Sequence, residues 1–192
     1  MAWAALLMQF YLIILNSVAT LTETIIRYFS FFTILTNILV AISFTVMLVA
    51  DSDKWKHLFL KTSNLTAVTV YILVVGIVYN LVLRWLWQPQ GLQKLTDELL
   101  HTIIPLAVLI YWFLFVATTS VQWRHVFRWM WYPFIYCLYT LVRGAVVNFY
   151  PYPFLDVDQL GYSRVLLNCV FVTIAFFAIS LLLVGAGKLL RK

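Results

Sequence analysis

The chain has 192 residues, of which 64% are hydrophobic and 10% charged, with a mean hydropathy of +0.96. A soluble domain of this size has no use for so much apolar surface, so the composition excludes a soluble globular protein and indicates a membrane protein. The formal net charge of +6 reads as a basic skirt against anionic lipid and does not imply nucleic-acid binding.

A bilayer span needs about 20 mostly apolar residues. Six segments meet that requirement, at roughly 2–22, 29–50, 64–84, 98–120, 130–150 and 163–187. The connections are too short for a soluble domain. The expected architecture is therefore all-α: a polytopic transmembrane bundle of six helices forming one domain over residues 1–192. Residues 1–22 contain no Lys or Arg, so the first segment is expected to be a retained helix rather than a signal peptide, despite the cleavage-like Ser17-Val18-Ala19. With six spans both termini share a side. The segments on that side carry Lys54, Lys56, Lys61, Arg124, Arg128, Lys188, Arg191 and Lys192, against Asp51 and Asp53. The opposite loops carry Arg27, Arg84, Lys94 and Arg164, with Glu23, Asp97, Glu98, Asp156 and Asp158. The positive-inside rule then predicts cytoplasmic N- and C-termini.

Span one ends in Asn16, Ser17, Thr20, Thr22 and Glu23. Ser30, Thr33 and Asn37 follow at i, i+3, i+7, one polar stripe on span two. Such hydroxyls commonly bond their own backbone, and Asn often ties helices together, so the stripe alone is read as structural. Trp55 in the next loop suits an interfacial anchor, and His57 a solvated position. Span three closes on Tyr79-Asn80, followed by an aromatic belt at Trp85 and Trp87 and a Pro89-Gln90-Gly91 turn.

Span four opens on Asp97-Glu98-Leu99-Leu100-His101-Thr102. On a helix, Asp97 and Glu98 stand four and three positions before His101, within reach of its ring. An ionisable group in a membrane helix is a site hypothesis by default, and the competing reading is a charged cap at the water boundary. Pro105, one turn on, is expected to kink the helix and free backbone groups beside the histidine. Residues 122–132 form a collar of cations and aromatics, His125 among them, and Pro133 fits a first helical turn.

Arg143 falls about seven residues inside the outer end of span five, roughly 10 Å deep. An arginine at mid-membrane costs about 2.5–3.5 kcal/mol on translocon scales, so it requires an acidic or carbonyl partner or an anionic ligand group. Both accounts stand at this point. Gly144 permits close helix approach. The stiff Tyr150-Pro151-Tyr152-Pro153-Phe154-Leu155-Asp156-Val157-Asp158 loop is expected to form a lid or rim. Asn168 lies one to two turns into span six. Cys137 and Cys169 are assigned to opposite levels, too far apart for a disulfide, and read as apolar fillers.

Every predicted span contributes polar residues, and nearly all fall in the outer half: Asn16, Thr20, Thr33, Asn37, Tyr79, Asn80, His101, Arg143, Asn148 and Asn168. That one-sidedness argues for a polar pocket open to the outer leaflet or outer aqueous face.

Several of these segments carry a resemblance. Arg27-Tyr28-Phe29-Ser30-Phe31-Phe32-Thr33-Ile34-Leu35-Thr36-Asn37, Val78-Tyr79-Asn80, Asp97-Glu98-Leu99-Leu100-His101, Leu141-Val142-Arg143-Gly144 and Tyr150 to Val157 resemble a bacterial family of six-span membrane proteins with no assigned function, along essentially the whole chain. That family in turn is distantly similar to the androgen-induced membrane hydrolases of animals, which cleave fatty-acid esters of hydroxy fatty acids with an intramembrane threonine and histidine. The matching positions are Thr33 and His101, the latter followed by Thr102. The resemblance implies a bacterial plasma-membrane protein acting on a lipid-like or amphipathic small molecule.

Three function classes follow. In the first, a lipid-ester hydrolase, Thr33 is the nucleophile and His101 its base. Asp97 or Glu98 orients the imidazole, and Arg143 with Asn37 or Asn80 holds a carboxylate or a developing oxyanion. Tyr79 and Asn168 line the pocket, and Ser30 or Thr36 are alternative nucleophiles. No metal or other cofactor is implied, since His57 and His125 fall at the opposite face from His101. The second class is a small transporter or lipid-binding protein; no internal repeat and no polar path through the inner half support transport. The third is a partner subunit with the polar residues as interhelical ties.

Overall fold

The computed structural model describes residues 1–116 and 120–190, and the described residues form ten α-helices and no strand. These are α1 (Ala2–Leu15), α2 (Leu21–Phe29), α3 (Phe32–Val49), α4 (Asp53–Leu60), α5 (Thr62–Leu81), α6 (Gly91–Glu98), α7 (Ile104–Tyr111), α8 (Arg124–Trp129), α9 (Trp131–Val147) and α10 (Val157–Leu190). A π-helical turn, Leu99–Ile103, joins α6 to α7, and a second, Trp112–Val116, extends α7. Among the described residues, five rods are long and apolar enough to cross a membrane: Phe32–Val49, Thr62–Trp85, Gly91–Val116, Arg124–Val147 and Val157–Leu190. The chain is a multi-pass integral membrane protein.

The expected first span, 2–22, is divided. α1 is apolar but has 14 residues, about 21 Å at helical rise against a hydrocarbon core of about 30 Å. It stops where Asn16 turns its amide back onto the Leu12 carbonyl at 2.9 Å. A new helix starts where the Thr20 hydroxyl accepts the Glu23 backbone N–H at 3.3 Å, an N-cap bond, while the Glu23 carboxylate turns to Arg27 and Arg143. The predicted span 98–120 runs into residues 117–119, and the basic pair Arg191 and Lys192 ends the chain; these lie outside the described residues.

α5 is the central rod. Its buried residues include Thr66, Ala67, Thr69, Val70, Tyr71, Ile72, Val74, Val75 and Gly76, a set that covers the whole circumference rather than one stripe, as expected of a helix enclosed by others. It packs against α3, α7 and α10. Lipid tails are as apolar as leucine, so dispersion and interhelical hydrogen bonds hold such a bundle together. Several span hydroxyls bond the carbonyl four residues back, as Ser43 does to Leu39, Thr66 to Thr62 and Thr69 to Leu65, each at 2.8 Å. These bonds satisfy the hydroxyls within their own helices.

Two expectations about α9 and α10 need correction. Cys137 and Cys169 are not at separate levels: their sulfurs are 3.4 Å apart. α9 ends at Val147, ten residues past Cys137, and the unbroken part of α10 starts after Gly161 (φ 73°, ψ 156°). At about 1.5 Å per residue both sulfurs fall near one level. Gly144 admits the ring of Tyr150 rather than a neighbouring helix: a Cβ there would run into that ring. The chain makes this return because Asn148 ends α9 in the left-handed conformation (φ 51°), which asparagine tolerates better than most residues.

Candidate functional site

The N-terminus of α3 and the π-helical turn between α6 and α7 meet at two side chains. Thr33 Oγ1 lies 3.3 Å from His101 Nε2. The other ring nitrogen, Nδ1, is 2.9 Å from the backbone carbonyl of Asp97. A carbonyl only accepts, so Nδ1 carries the proton. In the neutral ring Nε2 then presents its lone pair to the threonine hydroxyl. A hydroxyl facing the free nitrogen of an oriented imidazole is the arrangement a nucleophile and its base require.

The local sequence explains why the histidine sits there. Pro105 has no N–H to give to the carbonyl four residues back, which is that of His101. That carbonyl accepts instead from Asn80 Nδ2 at 3.2 Å, and the neighbouring Leu100 carbonyl accepts from Asn37 Nδ2 at 3.3 Å. The expected freeing of backbone by Pro105 is present, and two asparagines tie the freed turn to α3 and α5. Gly76 brings α5 close enough for this, since a Cβ there would stand 2.9 Å from the His101 oxygen. π-Helical turns inside α-helices are frequent at functional sites.

Tyr79 lies flat against the imidazole, with ring centroids 4.0 Å apart. Sequence reasoning missed Tyr152. Its hydroxyl accepts the Thr33 N–H at 3.2 Å and lies 3.2 Å from Thr33 Oγ1. One residue earlier, the Tyr136 hydroxyl accepts the Phe32 N–H at 3.2 Å and donates to the Ser30 carbonyl at 2.8 Å. α3 has no side-chain cap of its own, and two distant tyrosines supply one. The Tyr-Pro-Tyr-Pro-Phe run was a visible signal of a rigid rim, but not of which ring turns inward.

Other expected site residues have different surroundings. The carboxylates do not touch the imidazole. Asp97, 6% exposed, accepts from Trp87 Nε1 at 2.9 Å and Gln93 Nε2 at 3.1 Å, and Glu98 pairs with Arg84 at 2.6 Å. Asn37 and Asn80 also bond back along their own helices, to Thr33 and Gly76 carbonyls. Asn168 holds the Phe154 carbonyl at 2.8 Å, which steadies the turn next to Tyr152. Arg143, its side chain 11% exposed, finds an acidic partner in Glu23 at 2.9 Å, answering its membrane cost with an ion pair. Arg27 binds the same carboxylate oxygen at 2.8 Å, and both guanidinium groups lie over the Phe149 ring. Hydrogen bonding from Arg27, then from Arg143, holds the Glu23 carboxyl below the usual carboxylate range. Of the alternative nucleophiles, Ser30 is bonded to the Ile26 carbonyl and Tyr139. The Thr36 oxygen is buried with no hydrogen-bond partner. Neither is paired with a histidine.

Thr33 and Tyr152 also line a cavity of about 540 Å³ between α9 and α10. Its wall is almost wholly apolar, and Trp131, Phe134, Leu138 and Leu166, which line it, are themselves exposed. The cavity therefore opens sideways between the two helices, with the threonine hydroxyl as one of its few polar points. Among the described residues no group of three or more His, Cys, Asp or Glu could hold a metal ion. Compared with family models, curated proteins and solved structures, the chain matches none.

Proposed function

We propose that this protein is an intramembrane hydrolase of lipid esters. The observation that carries the reading is the Thr33 Oγ1 to His101 Nε2 contact, with Nδ1 already engaged by the Asp97 carbonyl. The resemblance to the androgen-induced membrane hydrolases points to the same two residues. In the reaction, Nε2 takes the Thr33 proton as the oxygen attacks the ester carbonyl, giving a tetrahedral oxyanion. Tyr152 accepts from the Thr33 N–H and, while the Thr33 hydroxyl donates to Nε2, directs its own O–H at Thr33 Oγ1; once Oγ1 has bonded to carbon, that O–H turns to the oxyanion. The protonated Nε2 returns its proton to the departing alkoxide, leaving an acyl-threonine. Water, deprotonated by the same nitrogen, then releases the carboxylic acid. Thr33 sits in the first turn of an 18-residue helix, where the helix dipole favours the developing negative charge.

The apolar cavity suits a substrate with a long hydrocarbon chain entering from the bilayer, with its ester at Thr33. The same reading includes six spans with both termini cytoplasmic in a bacterial plasma membrane. In that arrangement α1, which packs on α3, makes the first crossing, and α2 with Glu23 and Arg27 lies at the outer boundary.

The test is fluorophosphonate labelling of the purified protein together with hydrolysis of long-chain esters in detergent. Labelling of wild type that disappears in Thr33→Ala and in His101→Ala supports the hydrolase. Wild type that neither labels nor cleaves, yet retains a bound amphiphile, identifies a lipid-binding protein, which the 540 Å³ cavity by itself would also serve.

A further inference from the structure

A second cavity, of about 420 Å³, lies between the first turns of α5, the middle of α3, and α8. Asn64, in its wall, is fifteen residues from Tyr79 along α5, about 22 Å at helical rise. Three basic side chains line it, Lys61, His125 and Arg128, and no carboxylate does. The salt bridges among the described residues join Glu23 to Arg27 and Arg143, and Arg84 to Glu98. Neither Lys61 nor Arg128 takes part in them. His125 Nδ1 accepts the Gln122 N–H at 3.1 Å, so its ring proton is on Nε2, which remains a donor. Ser63, also in the wall, accepts from Trp129 Nε1 at 3.4 Å and keeps its own O–H to donate. Lys61 precedes the first residue of the 20-residue α5, so the positive end of that helix dipole adds to the field.

The surroundings of these donors are apolar. Leu39, Ala67 and Val68 form part of the wall, Leu58 and Phe59 of α4 the rim. Trp55 stacks on Phe59, and Trp55 and Leu58 are exposed beside the opening. A free anion has no use for such a rim, whereas an anion joined to hydrocarbon does. We propose that this cavity binds the phosphate of an anionic phospholipid. Lys61 and Arg128 neutralise the phosphate, and His125 Nε2–H and Ser63 O–H bond its oxygens. The acyl chains lie along Leu58, Phe59 and Trp55. The site is independent of the Thr33–His101 pair.

The experiment is native mass spectrometry of the full-length protein released from equal mixtures of phosphatidylglycerol and phosphatidylcholine with matched chains. Wild type retains phosphatidylglycerol in preference. At about 1 kcal/mol for each basic residue near a membrane surface, Lys61→Gln lowers that preference about fivefold and Lys61→Gln with Arg128→Gln about twenty-five-fold. Lys54→Gln with Lys56→Gln, which removes the same charge from α4 outside the cavity, leaves it unchanged. Equal loss in both double variants means general attraction to a basic surface and overturns the proposal, as does a wild type with no preference. Lys61 is exposed, so its single variant keeps the test open if the double variant misfolds. Inorganic phosphate that displaces the lipid at comparable concentration assigns the cavity to a soluble anion and likewise overturns it.

Discussion

The imidazole of His101 and the phenol of Tyr79 are stacked almost parallel, 14° apart, with the Arg84 guanidinium near the Tyr79 ring as well, 5.5 Å from its centroid. Stacking fixes the plane of the imidazole, and the Nδ1 bond to Asp97 fixes its rotation within that plane. Together they leave Nε2 one direction to face. Tyr79→Phe keeps the ring and is expected to retain fluorophosphonate labelling. Tyr79→Ala frees the imidazole to tilt, and its labelling rate is expected to fall about a hundredfold, the usual penalty for misplacing a reacting group by an ångström. Equal rates in the two variants would remove Tyr79 from any positioning role.

Tyr152→Phe separates two jobs of one hydroxyl. Loss of the cap to the Thr33 N–H is expected to cost about 1 kcal/mol of stability. Loss of an oxyanion donor is expected to slow acylation by about 10²–10³-fold. Thermal unfolding reads the first effect and single-turnover labelling the second. A lower melting temperature with an unchanged labelling rate makes Tyr152 a cap only.

Cys137 and Cys169, with sulfurs 3.4 Å apart, need to approach by only about 1.4 Å to reach disulfide length. Diamide, which takes up the two electrons and two protons, is expected to join them within one chain. Both thiols are then lost to a maleimide reagent, and a reductant restores them. Two thiols that stay reactive after oxidation would contradict the packing of α9 on α10.

The Glu23 cluster makes stability depend on pH in one direction. Arg27 and Arg143 hold the folded-state carboxyl below its ordinary range, so folding favours the charged form. The stability this adds is present above the unfolded-state value and disappears as the pH falls through the folded-state value. Melting temperatures of wild type and Glu23→Gln are expected to differ at neutral pH and to start converging only as the pH falls below about 4. A gap that stays constant over that range would show that Glu23 acts through something other than its charge.

Apolar length and composition were enough to read an all-helical membrane protein, because a rod that crosses lipid leaves a run of about 20 residues in the sequence. The break in the first run was also written there, in Thr20 and Glu23, but an apolar window averages over so short a cap. Thr33 and His101 came into view through motif and position. Their setting did not. The four-residue spacing of Asp97 and His101 suggested a carboxylate against a ring, yet the same spacing puts the ring nitrogen against the Asp97 carbonyl, and the side chain turns to Trp87 and Gln93. Asn37 and Asn80 looked like ligands for an anion because their targets, backbone oxygens released around a π-helical turn, have no signature of their own. Tyr152 reaches Thr33 over 119 residues of chain, a distance that no local pattern encodes.

That the tautomer of His101 is set by a main-chain oxygen has an evolutionary corollary. A triad whose third member is an aspartate side chain can be disarmed by one codon change. Here the corresponding atom is retained by whichever amino acid occupies position 97, and it can be lost only by refolding the turn itself. Drift at that position can therefore alter the charge beside the imidazole while leaving the proton on Nδ1.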